Sequence, residues 1–350
     1  MGGLAFPLVI IVFLISAAVT WYAGISLAKT TDTLDTRFKI GDALGGLILL
    51  GIAGTLPEIA VVASAAVQGH IPVIIGNLIG GISIQTLVIV LFDLAVRNKK
   101  PLSYLAGSAI LSIETIFAVV ITALALIGIL IPASKAVFFL NPASIAIVIA
   151  WLVGLFLIDK AREHPRLNVV AEDASRGRKH KERRKVENHP LYANKSTLYV
   201  ASVFLAAAAA TLVAGVLLEE TGSDAAARLG INSGIFAATV LALATTLPEI
   251  STGLESIFIG DNHLAISDIL GGNAFMMVIF LMADLIAKKP VLSYAGSPDI
   301  LFVSLGIGMM TVYAISFLAR LKRCYFRLGL DSILEILLYA AGVAALLYVK

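Results

Sequence analysis

Charge is scarce in this chain, and cysteine scarcer. Only 14% of its 350 residues are Asp, Glu, Lys or Arg, against roughly 25% in an ordinary soluble domain. So little polar surface cannot solvate a water-soluble globule, and it excludes a disordered chain as well. The single cysteine, Cys324, excludes an intrachain disulfide, a multi-cysteine metal site and with them a disulfide-stapled secreted scaffold. There is no HExxH, no GxSxG and no phosphate-cradling glycine loop, so no enzyme signature is present. What is plentiful is apolar sequence: 59% of the residues, with a mean hydropathy of +0.95.

That apolar sequence falls into runs long enough to cross a hydrocarbon core of about 30 Å as helices. Ten are read: Phe6 to Ala28, Ile40 to Val67, Pro72 to Val96, Tyr104 to Ile131, Phe138 to Ile158, Leu198 to Leu218, Ile231 to Ile259, Leu264 to Ala287, Ile300 to Leu318 and Ile333 to Val349. The first has no basic residue before Lys29 and is too long for a signal-peptide core, so it reads as a retained helix. With ten spans both termini share a side. Placing them outside puts 21 of the 26 Lys and Arg residues in inner loops, as the positive-inside rule requires; Lys288 and Lys289 are the contrary pair. The expected location is the cell membrane, with a basic cytoplasmic central loop.

That loop, from Asp159 to Thr197, is the only sizeable linker, and it divides the chain into residues 1–159, a basic segment 160–197, and residues 198–350. Its run Arg176 to Lys185 is read as a solvated stretch that fixes topology, with the lipid bilayer and no nucleic acid as partner.

The two halves repeat each other at an offset of 191 residues. GTLPEIAVVASA, with Glu58, matches TTLPEISTGLES, with Glu249. Asn77 of IGNLIGG meets Asp268 of ISDILGG, and Asp93 meets Asp284. Five spans separate equivalent points, an odd number, so the second copy must cross in the opposite sense. The expected fold is an all-α membrane protein of ten transmembrane helices in two inverted-topology five-helix repeats, a plan characteristic of secondary transporters whose site lies near the midplane.

Glu58 and Glu249 sit near the middle of apolar spans, where an ionisable group is costly and therefore expected to face the bundle interior with a function. Pro57 and Pro248 precede them and cannot donate to the residue four earlier, which frees the carbonyls of Ala53 and Ala244. Thr55 and Thr246 lie on about the same helical face, and Thr245 adds a further hydroxyl in the second copy. Carbonyls, hydroxyls and two carboxylates suit a hard cation such as Ca2+ or Na+, and the lack of membrane-embedded histidine or cysteine argues against zinc or copper. Asn77 and Asp268 are candidates either for ligation or for supporting hydrogen bonds. The glycine clusters Gly76, Gly80, Gly81 and Ser267, Gly271, Gly272 allow close helix approach. Glu114, Glu255 and Glu335 have no acidic counterparts in the other half and are read as snorkelling or hydrogen-bonded structural groups; Asp93 and Asp284 are read as interfacial.

These motifs resemble those of the calcium/cation antiporter superfamily, and within it the sodium/calcium exchanger branch, whose paired repeats read roughly GTSLPE followed by GNxxGSNxxN. The resemblance covers the ten-span plan, with the specific motifs confined to Gly41 to Val96 and Ser233 to Leu285. It implies that Glu58 and Glu249 bind calcium. Three departures stand out: Gly54 replaces a hydroxyl residue, Gly81 and Gly272 replace the motif serine, and the last polar position falls on Gln85 and Met276. The resemblance thus implies a secondary antiporter, not an enzyme, with no cofactor, exchanging Ca2+ for Na+ by alternating access. A Ca2+ (or other divalent cation)/H+ exchanger on the same scaffold is the alternative, and a cation channel a more distant one.

Overall fold

The computed structural model describes residues 5–38, 52–96, 100–162, 192, 195–320, 322–325 and 327–346. The start of the second apolar stretch (40–51) and the run Arg176 to Lys185 lie outside the described residues. The described residues are mostly helical: α1 Phe6–Phe38, α2 Leu56–Gln68, α3 Ile71–Ala95, α4 Leu102–Ala106, α5 Ala109–Leu130, α6 Pro142–Arg162, α7 Thr197–Leu229, α8 Ser233–Phe236, α9 Ala242–Thr245, α10 Leu247–Phe258, α11 Asn262–Ala287, α12 Ser297–Ala319 and α13 Leu330–Ala345. One two-stranded hairpin, Cys324–Tyr325 with Leu328–Gly329, precedes α13.

Among the described residues seven helices are long and apolar enough to cross a bilayer, and the pair Ser233–Thr245 and Leu247–Phe258, bent by 43°, passes the same test when taken together. The helices α2 and α13, with 13 and 16 residues, are shorter than a full span. Two boundaries differ from the sequence reading. The apolar runs stop at Ala28 and Leu218, but α1 and α7 continue to Phe38 and Leu229, giving 33 residues each. Ala and Glu favour the extension of α7, whereas that of α1, rich in Thr and Asp, is held by burial of Thr30, Thr31, Thr33 and Leu34, with Thr30 and Thr33 donating back to the carbonyls of Ser26 and Lys29.

The arrangement has a buried centre and a lipid-like rim. Helix α3 is enclosed along nearly its whole length, α11 along more than half, while α6 and α7 are largely exposed. A helix enclosed on all sides needs no polar face, and α3 has none among its core positions Ile74, Ile75, Leu78, Ile79 and Ile82. Where helices meet in a membrane, small residues rather than hydrophobic force set the approach. Gly76 and Gly80 lie directly against the backbones of Gly234 and Ala238, with no space for a β-carbon. Gly271, by contrast, has nothing near it, so the expected close-approach role holds for α3 and fails at that position of α11.

Sharp turns end both glutamate-bearing helices at left-handed glycines, Gly69 (φ 76°) after α2 and Gly260 (φ 83°) after α10. The two positions are again 191 apart, and each needs a residue without a β-carbon.

Asp93 and Asp284, read from the sequence as interfacial, stand in the last turns of α3 and α11 and have a further role within the protein. Both are buried, and each binds backbone N–H groups of distant segments. Asp93 accepts from Leu102 N (2.6 Å), Gly329 N (2.7 Å) and Ser332 Oγ (2.7 Å). Asp284 accepts from Val291 N (2.7 Å) and Asn141 N (2.9 Å), with Ser144 beside it. Gly329 and Asn141 stand immediately before α13 and α6. Each aspartate therefore closes the start of a helix in the opposite half of the chain, where helix N–H groups need acceptors and favour negative charge. Asp284→Ala should leave two buried N–H groups without partners and cost on the order of 2 kcal/mol or more. A thermal melt in detergent checks this; an unchanged midpoint would contradict it.

Candidate functional site

The helices carrying Glu58 and Glu249 break at the same place. On one side the chain turns at Thr55 and α2 begins with Leu56 and Pro57; on the other, α9 ends at Thr245 and α10 begins with Leu247 and Pro248. The bend in the second copy is 43°, preceded by a π turn over Ala237–Leu241. Proline at the first turn leaves no broken hydrogen bond of its own, so the kink falls just before it. Both glutamates then stand in the first turn of a helix, where the dipole favours negative charge.

Glu249 lies within electrostatic reach of both Glu58 and Asp268. Glu58 is fully buried and Glu249 only 5% exposed. None of their four carboxylate oxygens has a hydrogen-bond partner. Both amide atoms of Asn77 and of Gln85 are buried and unpartnered too, as is Oδ1 of Asn273. Buried polar atoms are normally satisfied, and each one left over needs an explanation. Among the described residues these buried, unpartnered oxygens and amides lie on the kinked helices α2 and α10 and on α3 and α11 beside them.

Not every expected ligand points the same way. Thr245 lies beside Glu58 while its hydroxyl donates to the Ala242 carbonyl (3.1 Å). Thr246 donates to the same carbonyl (2.7 Å), and Thr55 to Ile52 O (3.4 Å). A hydroxyl that donates backward still offers its lone pairs forward. The Ala244 carbonyl receives a long bond from Thr20 (3.5 Å). Asp268 is bound to α10 through Thr252 (3.3 Å), one turn beyond Glu249. Of the other acids, Glu114 accepts from Ser267 (2.7 Å) and Glu255 is half exposed near Lys29 (3.9 Å), as structural or snorkelling groups should be. Glu335 is fully buried, with neither oxygen bonded, and fits neither description.

Two features of the site escape a motif search. Gly24 of α1 leaves just enough space for Pro248, and Gly215 of α7 for Pro57 and Ala60. These glycines are themselves 191 apart, so extending the repeat comparison beyond the motifs would have found them. The second is a reciprocal filling of space between α3 and α11. Met276 lies over Gly81, and Gln85 over Gly272, so at equivalent positions one gap is closed by a thioether and the other by an amide.

Comparison with known proteins fits this geometry. The sequence model of the family described as "Sodium/calcium exchanger protein" matches twice, over residues 8–158 and again over 199–349. The chain belongs to that family. Its two matches start 191 residues apart, the same offset that separates the paired glutamates and glycines. Over 322 residues the chain is 25% identical to the putative antiporter CaxA of Alkalimonas amylolytica, covering 91% of each. Its fold is similar to that of the H+/Ca2+ exchanger CAX (TM-score 0.68, 15% identity, 97% of this chain and 82% of that one). It is also similar to the sodium-calcium exchanger NCX_Mj (TM-score 0.60, 17% identity, 98% of this chain and 100% of that one). Members of this family are membrane antiporters, not enzymes, and this chain is a multi-pass helical membrane protein of the same kind.

Proposed function

We propose that this protein is a secondary active antiporter that carries Ca2+ in exchange for a monovalent cation, at a site held by Glu58 and Glu249. The observation that carries the reading is the pair of buried carboxylates without a protein partner. Two ionised carboxylates neutralise one divalent ion. Hydroxyls of Thr55, Thr245 and Thr246, the Ala53 and Ala244 carbonyls, and Asn77 and Asp268 supply further oxygens around it. When the dication leaves, the doubly negative site cannot cross a low-dielectric barrier empty. It returns only once Na+ or H+ has neutralised it, which makes exchange obligatory.

The architecture in this reading is ten crossings in two inverted five-helix halves, residues 1–159 and 198–350, with the segment 160–197 inside and both termini outside. The exchanged caps of Asp93 and Asp284, the glycine–proline contacts at Gly24 and Gly215, and the doubled family match support a two-fold relation between the halves. Alternating access follows from it, because either half can open the shared centre to its own face.

Na+ is the first reading for the counter-ion. H+ is the second, and Met276 favours it: its side chain closes over Gly81 and puts a weak sulfur acceptor where a Na+ site needs oxygen. Both couplings occur on this fold, in the sodium-calcium exchanger and in the H+/Ca2+ exchanger. Uptake of radiolabelled Ca2+ into proteoliposomes under an imposed Na+ or H+ gradient separates them. Uptake driven by outward Na+ at equal pH establishes the first, and uptake that ignores Na+ but follows a pH gradient establishes the second. Flux without dependence on either gradient would overturn antiport.

A further inference from the structure

Glu219 is a carboxylate that ion exchange at Glu58 and Glu249 does not use. It lies one turn beyond Gly215 on α7 and is fully buried, yet it is saturated with donors. Ser64 Oγ (2.8 Å), Gln68 Nε2 (2.7 Å), His70 Nδ1 (2.7 Å) and Ser223 Oγ (3.1 Å) all converge on it. Three of the four come from the end of α2 and the turn that leads into α3, so this one side chain fastens α7 to the helix that carries Glu58. His70 is the exception to burial, with 41% of its side chain exposed. Histidine is the side chain whose charge changes between about pH 5 and 8.

At the repeat-equivalent place the tie is of another kind. Position 64 corresponds to Glu255 of α10, which faces Lys29 of α1 at 3.9 Å with both side chains substantially exposed. A water-exposed pair of that length contributes little, whereas a buried carboxylate with four donors, one of them able to carry charge, contributes more. The two ends of the bundle are thus fastened unequally, and at the Glu219 end the fastening includes a histidine.

We propose that Glu219 and His70 form a protonation-dependent latch that holds α7 against the α2–α3 turn and sets how readily that end of the bundle opens during transport. Glu219 and His70 are positioning residues. The transport part of the statement rests on the antiport reading; the latch itself does not. With His70 charged, the Nδ1–H···carboxylate bond is ion-paired and the latch is tight. With His70 neutral the same nitrogen donates more weakly or accepts, and the latch loosens. The other ionisable groups nearby are Glu220, Asp224 and Arg228 on α7 itself, and Arg228 is paired with Asp224 (2.9 Å). The adjacent turns of α1 (Phe6 to Phe13) and α8 bring no ionisable residue, and among the described residues His70 is the ionisable group bonded to Glu219.

A distance measurement tests the latch without transport. Val67 and Leu229 are exposed at the ends of α2 and α7, and the chain's one cysteine is removed by Cys324→Ser. Spin labels on Val67→Cys and Leu229→Cys in lipid nanodiscs should give a single narrow distance at pH 5.5 and a second, longer population at pH 8. In His70→Ala the longer population should be present at both pH values, and in Glu219→Gln the pH response should vanish. A parent distribution that ignores pH, or a His70→Ala protein that still responds to it, would overturn the latch. In Ca2+ flux at equal pH on both sides, the parent should slow about fivefold more than His70→Ala between pH 8 and pH 5.5. Equal slowing would overturn the role in transport. If no protein carries Ca2+, the antiport reading fails while the spin-label distances still judge the latch.

Discussion

Glu58→Gln and Glu249→Gln should each reduce Ca2+ exchange by at least about a hundredfold while leaving the protein as stable as the parent or more so. A unit charge about 4 Å from a dication contributes about 4 kcal/mol or more even at an effective dielectric near 20, and each 1.4 kcal/mol is a factor of ten in affinity. The stability half of the expectation has the opposite sign. In the empty protein the carboxyl oxygens are buried without hydrogen-bond partners, so an amide of the same shape breaks no bond and removes a group that is costly to bury in its charged form. Flux in proteoliposomes and thermal melting in Ca2+-free detergent together separate a ligand from a scaffold residue. A structural glutamate would lose both properties on substitution. Full flux in both variants would remove these residues from the site.

Gly80→Val should abolish folded protein altogether, whereas Gly271→Ala should be tolerated. A β-carbon at Gly80 would overlap the main chain of Ala238, and backbone, unlike the end of a side chain, cannot swing aside. Overpacking alone costs roughly 1–3 kcal/mol, and here it would separate α3 from the π turn just before the Glu249 kink. Gly271 has open space around it, and alanine in mid-helix gains roughly 0.5–1 kcal/mol over glycine. Monodisperse yield after solubilisation and the melting midpoint report both. A well-folded Gly80→Val would show that the α3 contact is looser than its geometry.

How far the sequence foretold this structure differs by feature. Apolar run length and the 191-residue offset announced a helical membrane fold and the burial of Glu58 and Glu249, because these depend on local chemistry that a repeat preserves; the helix breaks before Pro57 and Pro248 were read only as freed carbonyls within continuous spans. The finer membrane plan is less direct, since α2 and α13 are short as described. For Asp93 and Asp284 the position near a helix end is visible in the sequence, while the acceptor role toward Gly329 or Asn141 depends on contacts across the chain and was not. Glu219 went unnoticed for a related reason. It follows the last apolar residue of its run, and only the continuation of α7 to Leu229 brings it against Ser64, Gln68 and His70. The unlike pair Gln85 and Met276 was legible as a departure from a motif. That each fills the gap left by a glycine on the facing helix was not.

The exchanged aspartates also bear on how the chain is made. When the ribosome has completed α6, the N–H of Asn141 at its start still lacks the carboxylate of Asp284, which lies 143 residues further along the chain than Asn141. The carboxylate of Asp93 waits longer still, for Gly329 and Ser332. The amino-terminal half is therefore inserted in a provisional form, and neither half expressed alone can reach its final packing. Supplied as two separate polypeptides in one membrane, the halves should find each other and complete one another.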